Sequence, residues 1–257
     1  FEFDDKNYSM HSWGECSYQL YLKKHAAEFN EINLIKKIIN KDDVFYDIGA
    51  NVGIFSILLN QDVKETFSFE PYSIAYSYLR RNLELNNLET HKSHQLALND
   101  VFGDVFLYVN PEFSSGLNSL MPSQHPSARI LSKETVPSTT LDKFIESNPA
   151  PSFCKIDVEG AEKAIFKGAT QTIKKAKPTF FYETSIHTTK AFGYVPDDCE
   201  LFLSQFDFKF YEFDSQNNEL SDIDDEKKRK SMTLAVHPDS LHFKPVNEVL
   251  KRQRLKT

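Results

Sequence analysis

The sequence predicts an α/β fold built on a mostly parallel sheet, on three observations. Strand-like runs alternate with segments of helical periodicity along most of the chain. The first clear strand runs into a glycine-containing loop, and an apolar helix-like segment follows it. A chain of 257 residues, 40% of them hydrophobic, is long enough for one sizeable core and short for two full domains.

The elements follow in order. Residues 1–30 are rich in Tyr and His and are expected to form a helical N-terminal cap. Residues 31–39 place Ile32, Ile35, Ile38 and Ile39 at helical spacing. Val44, Phe45, Tyr46, Asp47 and Ile48 form a β-rich run ending in glycines, and residues 54–60 open a helix. Residues 65–70 alternate as a strand, Ala75, Leu79 and Leu83 mark one face of a second helix, and residues 94–98 read as a third strand. Residues 101–121 interrupt the alternation, with a turn at Gly103, an extra strand over 105–109 and a loop over 111–126. The pattern resumes with a strand at 152–157, a helix at 161–173 and a strand at 178–183. A helix at 199–206 and strands at 208–213 and 232–236 close the sheet, the last two joined by a charged hairpin loop over 215–229. The expected division is an N-terminal cap (1–30), one catalytic domain (31–240) and a short basic C-terminal tail (241–257).

In open parallel sheets ligands sit beyond the carboxyl ends of the strands. The best candidate loop there is Asp47-Ile48-Gly49-Ala50-Asn51-Val52-Gly53. Gly49 lets the backbone turn and come close to a ligand, Gly53 allows tight packing of the helix, and the helix start offers free N–H groups. The next strand ends in Glu70, 21 residues after Gly49, where a carboxylate can accept hydrogen bonds from ribose hydroxyls. A glycine loop can simply join a strand to a helix; the spaced Glu70 argues against that plainer reading. A dinucleotide loop wants Gly-x-Gly-x-x-Gly, so that a pyrophosphate can lie on bare backbone. Here the spacing is Gly-x-x-x-Gly with an Asp before it, which suits S-adenosylmethionine, a ligand without phosphate that carries an ammonium and a sulfonium.

Composition narrows the partners. The formal net charge of -7 leaves no broad basic face, so no nucleic-acid substrate is expected. Cys16, Cys154 and Cys199 are odd in number and form no Cys-x-x-Cys, which argues against a disulfide framework or zinc site and for a reducing, cytoplasmic setting. No apolar stretch approaches the ~18 residues of a membrane span. The acidic first residues do not read as a signal peptide, and the missing initiator Met is what a fragment of a longer chain would show. Nothing in the sequence sets an oligomeric state.

These blocks resemble the FkbM-type S-adenosylmethionine-dependent methyltransferases. The resemblance rests on Val44 to Gly53, on Phe69-Glu70-Pro71, on Ala97-Leu98-Asn99-Asp100 with Gly103, on Thr139-Thr140-Leu141-Asp142, and on Lys155-Ile156-Asp157-Val158-Glu159-Gly160-Ala161-Glu162, in the family's order and spacing over about residues 30–187. It implies a three-layer, seven-stranded class I methyltransferase (Rossmann-like) sheet, mostly parallel with an antiparallel last strand, here with a β insertion near residues 101–121. It also implies methylation of a hydroxyl on a glycan or small-molecule acceptor. Asp47, Gly49, Asn51 and Gly53 would line the methionine end, Glu70 with Pro71 beside it would hold the ribose, and Leu98 and Asn99 would lie near the adenine. Where the family often has Glu-Ile-His after the fifth strand, this chain has Glu183-Thr184-Ser185-Ile186-His187, with the His two residues further on.

Asp157, Glu159 and Glu183 fall at the same sheet edge and are the candidate catalytic groups, Asp157 also touching the cofactor. They could supply a general base, pair with Lys155, open a helix as ordinary dipole partners, or bind a divalent cation through oxygen ligands; no compact oxygen-ligand motif supports the cation, and no metal residue is assigned. Asn118 and Ser119 sit in a long loop that could lie over the cofactor and shape the acceptor pocket. His125 reads as a surface residue, Trp13 as core or cap, and residues 226–230 as a solvated charge run. The competing readings are a non-catalytic S-adenosylmethionine-binding module and an N-methyltransferase, the latter without an Asn-Pro-Pro-Tyr or Asp-Pro-Pro-Tyr strand end to support it.

Overall fold

The computed structural model describes residues 1–11, 28–88, 91–111, 116–122, 127–223 and 232–255. Trp13, Cys16, His125 and residues 226–230 lie outside the described residues. In chain order the first half contains β1 (Glu2–Phe3), β2 (Lys6–Asn7), α1 (Phe29–Lys36), β3 (Val44–Ile48), α2 (Ile54–Leu59), β4 (Glu65–Phe69), α3 (Ser73–Leu85), β5 (Lys92–His94), β6 (Ala97–Leu98), β7 (Gly103–Val109), β8 (Ser132–Thr139) and α4 (Leu141–Phe144). The second half contains β9 (Phe153–Ile156), α5 (Glu162–Gly168), α6 (Thr170–Ala176), β10 (Thr179–Glu183), α7 (Ile186–Thr189), α8 (Asp197–Ser204), β11 (Lys209–Asp214), β12 (Glu219–Asp222), β13 (Met232–Val236) and α9 (Phe243–Arg254).

The main sheet has eight strands in the order β12-β11-β13-β10-β9-β3-β4-β5. The pairs from β10 through β9, β3 and β4 to β5 are parallel, and β13 is antiparallel to both β10 and β11. The mostly parallel sheet with an antiparallel last strand is therefore present, with β12 added at the edge by a hairpin from β11. β12 falls inside the segment expected to be a charged loop; only Leu220 of its four residues is buried, so its sequence carries no strand-like alternation.

Alternation along the strands splits the core into two layers of helix on sheet. Phe45, Phe153 and Phe181 face α1, α2, α3 and α9. Tyr46, Ile48, Cys154, Ile156, Phe180 and Tyr182 face α4, α5, α6 and α8. The β insertion is a separate three-stranded sheet, β6-β8-β7, whose Leu107, Val109 and Val136 pack against Val52, Tyr72 and Ala75 beside the glycine loop.

Four expectations are corrected. Residues 94–98 are not one strand: β5 ends at His94 in the main sheet, while Ala97 and Leu98 pair with Ser138 and Thr139 of β8. β8 has no counterpart among the expected elements, because Ser-Lys-Glu-Thr-Val-Pro-Ser-Thr has a single large apolar residue and a proline. Residues 1–11 form a hairpin rather than a helix, turning through Asp4 and Asp5 at φ 54 and 58, the signature of a two-residue mirror-image turn. Residues 243–254 are not a loose tail: Val246, Val249 and Leu250, at i, i+3 and i+4, enter the core. Just before that helix, His242 is fully buried, with Nε2 3.0 Å from Asp43 Oδ1 and Nδ1 2.9 Å from Thr179 Oγ1. No helix among the described residues is long and apolar enough to cross a membrane.

Candidate functional site

The β3–α2 loop is bent by glycine geometry. Gly49 has φ +76, and a Cβ there would lie 1.8 Å from the Asp157 carbonyl oxygen at the end of β9. The glycine is thus required by the neighbouring strand end, and not only by a ligand as the sequence suggested. Gly53 has φ +93, and a Cβ there would meet Leu79 Cδ1 at 2.5 Å, so its absence lets α3 close onto the loop.

Glu70 ends β4 and closes the other side of the loop. Its Oε2 accepts the Asn51 N–H at 2.9 Å and its Oε1 accepts the Tyr72 N–H at 2.9 Å. Burial pushes its carboxyl up to about 7 against those two N–H groups, which favour the ionised form. A carboxylate oxygen accepts more than one hydrogen bond, so Glu70 retains capacity toward a pair of hydroxyls. It borders a cleft of about 710 Å³ together with Gly49, Asn51, Pro71, Leu98, Asp157 and Glu159. Asn118, Ser119 and Leu120, after β7, also line it, and the Ser119 hydroxyl donates to the Glu159 carbonyl at 2.7 Å.

Three predicted residues do not line that cleft. Asp47 points to the α2 side of β3, as the period of two demands, and is fully buried. Its Oδ2 accepts from the Ser56 N–H at 3.1 Å and the Ser56 hydroxyl at 2.5 Å, and its Oδ1 lies 3.8 Å from Lys155 Nζ. Burial raises its carboxyl above the usual range, opposed by Lys155 and Ser56. Gly53 is turned toward α3, and Asn99 borders a separate groove.

Asp157, Glu159 and Glu183 do come together. With Glu162, Ser185 and His187 they line a second pocket of about 480 Å³ that shares Asp157 and Glu159 with the first. Lys155 Nζ lies 3.4 Å from Asp157 Oδ2 and donates to the Gly49 carbonyl at 3.2 Å. Burial lowers the lysine's pKa, but Asp157, Asp47 and Glu31 outweigh it and hold the ammonium protonated. Burial, then Asp157, Glu31 and Glu162, push Glu183 up to about 8, with Lys155 opposing. Burial and the carboxylates of Asp157, Glu183 and Glu162 raise Glu159 as well. Among the described residues no group of His, Cys, Asp and Glu has the geometry to hold a metal ion.

Two carboxylates at this edge escaped the sequence reading. Glu31, in the first turn of α1, accepts from Ser215 Oγ at 2.7 Å, and burial raises it to about 7. Its signal was hidden because a Glu near a helix start is ordinary. Glu162 was quoted as part of a motif without a role. Its Oε1 accepts the Val158 and Gly160 N–H groups at 3.3 and 3.1 Å, and Oε2 accepts the Tyr194 hydroxyl at 3.0 Å. It holds the turn in which Glu159 adopts φ 54.

Residues 47–210 match the family described as the methyltransferase FkbM domain. A curated relative, the hexuronic acid methyltransferase AglP of Haloferax volcanii, is 25% identical over 181 residues, which is 70% of this chain and 69% of that protein. The crystal structure of a methyltransferase FkbM from Methylobacillus flagellatus KT aligns with a TM-score of 0.50 at 16% identity, over 76% of this chain. This chain spans 43% of that longer protein, and the likeness shows the fold alone.

Proposed function

The chain belongs to the FkbM methyltransferase family, and on that footing we propose that it methylates a hydroxyl oxygen of a glycan or small metabolite with S-adenosylmethionine as donor. The observation that carries this reading is the pair of adjoining cavities that share Asp157 and Glu159 at the carboxyl edge of the sheet. The cavity bordered by Glu70 fits the donor: Glu70 faces a space for a ribose diol, and Ala97, Leu98, Leu107 and Leu120 give apolar walls for a purine. The name of the Haloferax volcanii relative supports a sugar acceptor.

S-adenosylmethionine supplies a methyl carbon already activated by its sulfonium. The chain therefore has two tasks, alignment of the acceptor and removal of its proton. The sequence alone favours Asp157 as base. Asp157 is paired with Lys155, whereas Glu183 sits near neutrality, so we assign the proton to a Glu183 carboxylate oxygen. Asp157 and Glu159, common to both cavities, orient the acceptor at the donor. A binding module would need this edge locked in structural ion pairs; among the described residues no ion pair or hydrogen bond reaches the carboxylates of Glu159 or Glu183.

Calorimetry should detect binding of S-adenosylhomocysteine and none of NAD; the opposite result overturns the reading. With radiolabelled donor and a hydroxyl acceptor, turnover should rise with pH, with the midpoint of the rise near 8. Glu183→Gln should remove that limb and slow transfer about a hundredfold or more, with S-adenosylhomocysteine affinity retained. Full turnover in Glu183→Gln would return the role to Asp157 or His187.

A further inference from the structure

Among the described residues the acceptor pocket gathers more carboxylates than cations. Asp157, Glu159, Glu162 and Glu183 line it, and Glu31 and Asp47 stand behind it. Among the described residues Lys155 is the ammonium set among them, with the His187 imidazole at the same pocket, and Lys155 already serves Asp47, Asp157 and the Gly49 carbonyl. Asp157 and Glu162 have partners in the fold. The carboxylates of Glu159 and Glu183 receive neither a hydrogen bond nor an ion pair among the described residues, yet both face the cavity. Glu159 is held there by a left-handed backbone at φ 54, a conformation costly for a side-chain-bearing residue unless its surroundings enforce it.

Half-buried carboxylates that no described residue pairs, lining one pocket, call for a ligand rich in donors, and an excess of carboxylate calls for positive charge. The donor's ammonium and sulfonium, partly offset by its own carboxylate, do not balance the cluster. We infer that the acceptor is an amine-bearing polyol, an amino sugar in its ammonium form, with the ammonium against Glu159 and the reacting hydroxyl against Glu183. A uronic acid, the class named for the Haloferax volcanii relative, would bring a like charge to the same carboxylates. This inference rests on the methyltransferase reading and narrows its substrate. The raised carboxyls of Glu31, Glu159, Glu162 and Glu183 add a consequence: the empty cluster stores protons, and a cation entering it should displace some of them.

The test is calorimetry on protein saturated with S-adenosylhomocysteine, titrated with glucosamine, N-acetylglucosamine and glucuronate. Glucosamine should bind at least about tenfold tighter than either of the others, a gap typical of one gained charge contact. Its apparent heat should vary with buffer ionisation enthalpy, reporting proton release. Glu159→Gln, checked by thermal melting and itself saturated with S-adenosylhomocysteine, should erase the preference. Glucuronate binding as tightly as glucosamine, a preference that survives Glu159→Gln, or no binding of glucosamine to the saturated protein would each overturn the inference while leaving the cofactor reading intact. Failure of S-adenosylhomocysteine itself to bind would overturn that reading and this one with it.

Discussion

Gly49 sits so close to Asp157 that a single methyl group on its Cα would lie 1.8 Å from the Asp157 carbonyl oxygen. The first loop and the end of β9 are thereby locked together, and the two cavities that share Asp157 inherit a fixed spacing. Gly49→Ala should cost at least about 2 kcal/mol, from overpacking and from the left-handed φ together. It should also abolish S-adenosylhomocysteine binding. Denaturant unfolding and calorimetry check both; a variant that melts and binds like the parent would show that the loop can move aside.

Glu70 braces the same loop from the other side. Glu70→Gln keeps the shape but lacks the charge that favours both backbone N–H groups and a ribose diol. Hydrogen bonds to charged groups are worth about 1.5–3 kcal/mol, so S-adenosylhomocysteine affinity should fall roughly tenfold to a hundredfold. Because burial places the carboxyl near 7, its ionised, hydrogen-bond-accepting form is gained as pH rises. Parent affinity should therefore climb between pH 6 and 8, and the slope should be shallower in Glu70→Gln. Equal slopes in calorimetric titrations would remove Glu70 from the ribose site.

Lys155 is the buried countercharge for Asp47 and Asp157. Lys155→Met leaves those carboxylates without it, a loss that costs about 3–5 kcal/mol when a buried pair is broken. The sign follows from the carboxyls. Asp47 is already raised, and without the ammonium it rises further, so protonation relieves the strain in acid. The destabilisation should be large at pH 8 and smaller at pH 5. A pH-independent loss measured by urea unfolding would mean the lysine acts through packing rather than through charge.

The C-terminal helix should be part of the folding unit. Ending the chain at Ser240 removes Val246, Val249 and Leu250 from the core, each worth about 1.5–3 kcal/mol. It also strips Asp43 of its His242 partner. Burial works against the Asp43 carboxylate, but His242 and Ser152 outweigh it and hold its pKa below the usual value, so the contribution of Asp43 is present above that value and lost in acid. The truncated chain should show no cooperative thermal transition at pH 7. A sharp transition near the parent's would make residues 241–257 the separate tail that their basic composition suggested.

The sequence by itself determined the mostly parallel character of the sheet, the glycine loop after β3, and the carboxylates that fall at the ends of its strands. Those features rest on local rules: the alternation of strand and helix, glycine at bends of positive φ, and a carboxylate at a fixed distance along the chain. Glu70, Asp157, Glu159 and Glu183 were legible because a residue at the end of a parallel strand faces the ligand edge in any such sheet. The tertiary structure decided what local pattern does not encode. The side-chain period of two turned Asp47 away from the cleft and into α2, and packing against the Asp157 carbonyl fixed the need for Gly49 independently of any ligand. Glu31 joined the cluster from α1, 126 positions before Asp157, because α1 packs on the face of the sheet beside that edge. Charge, burial and like-charged neighbours then set the balance of the acceptor pocket. Those energies depend on distance through space, which residues remote in the chain acquire only when the sheet has formed.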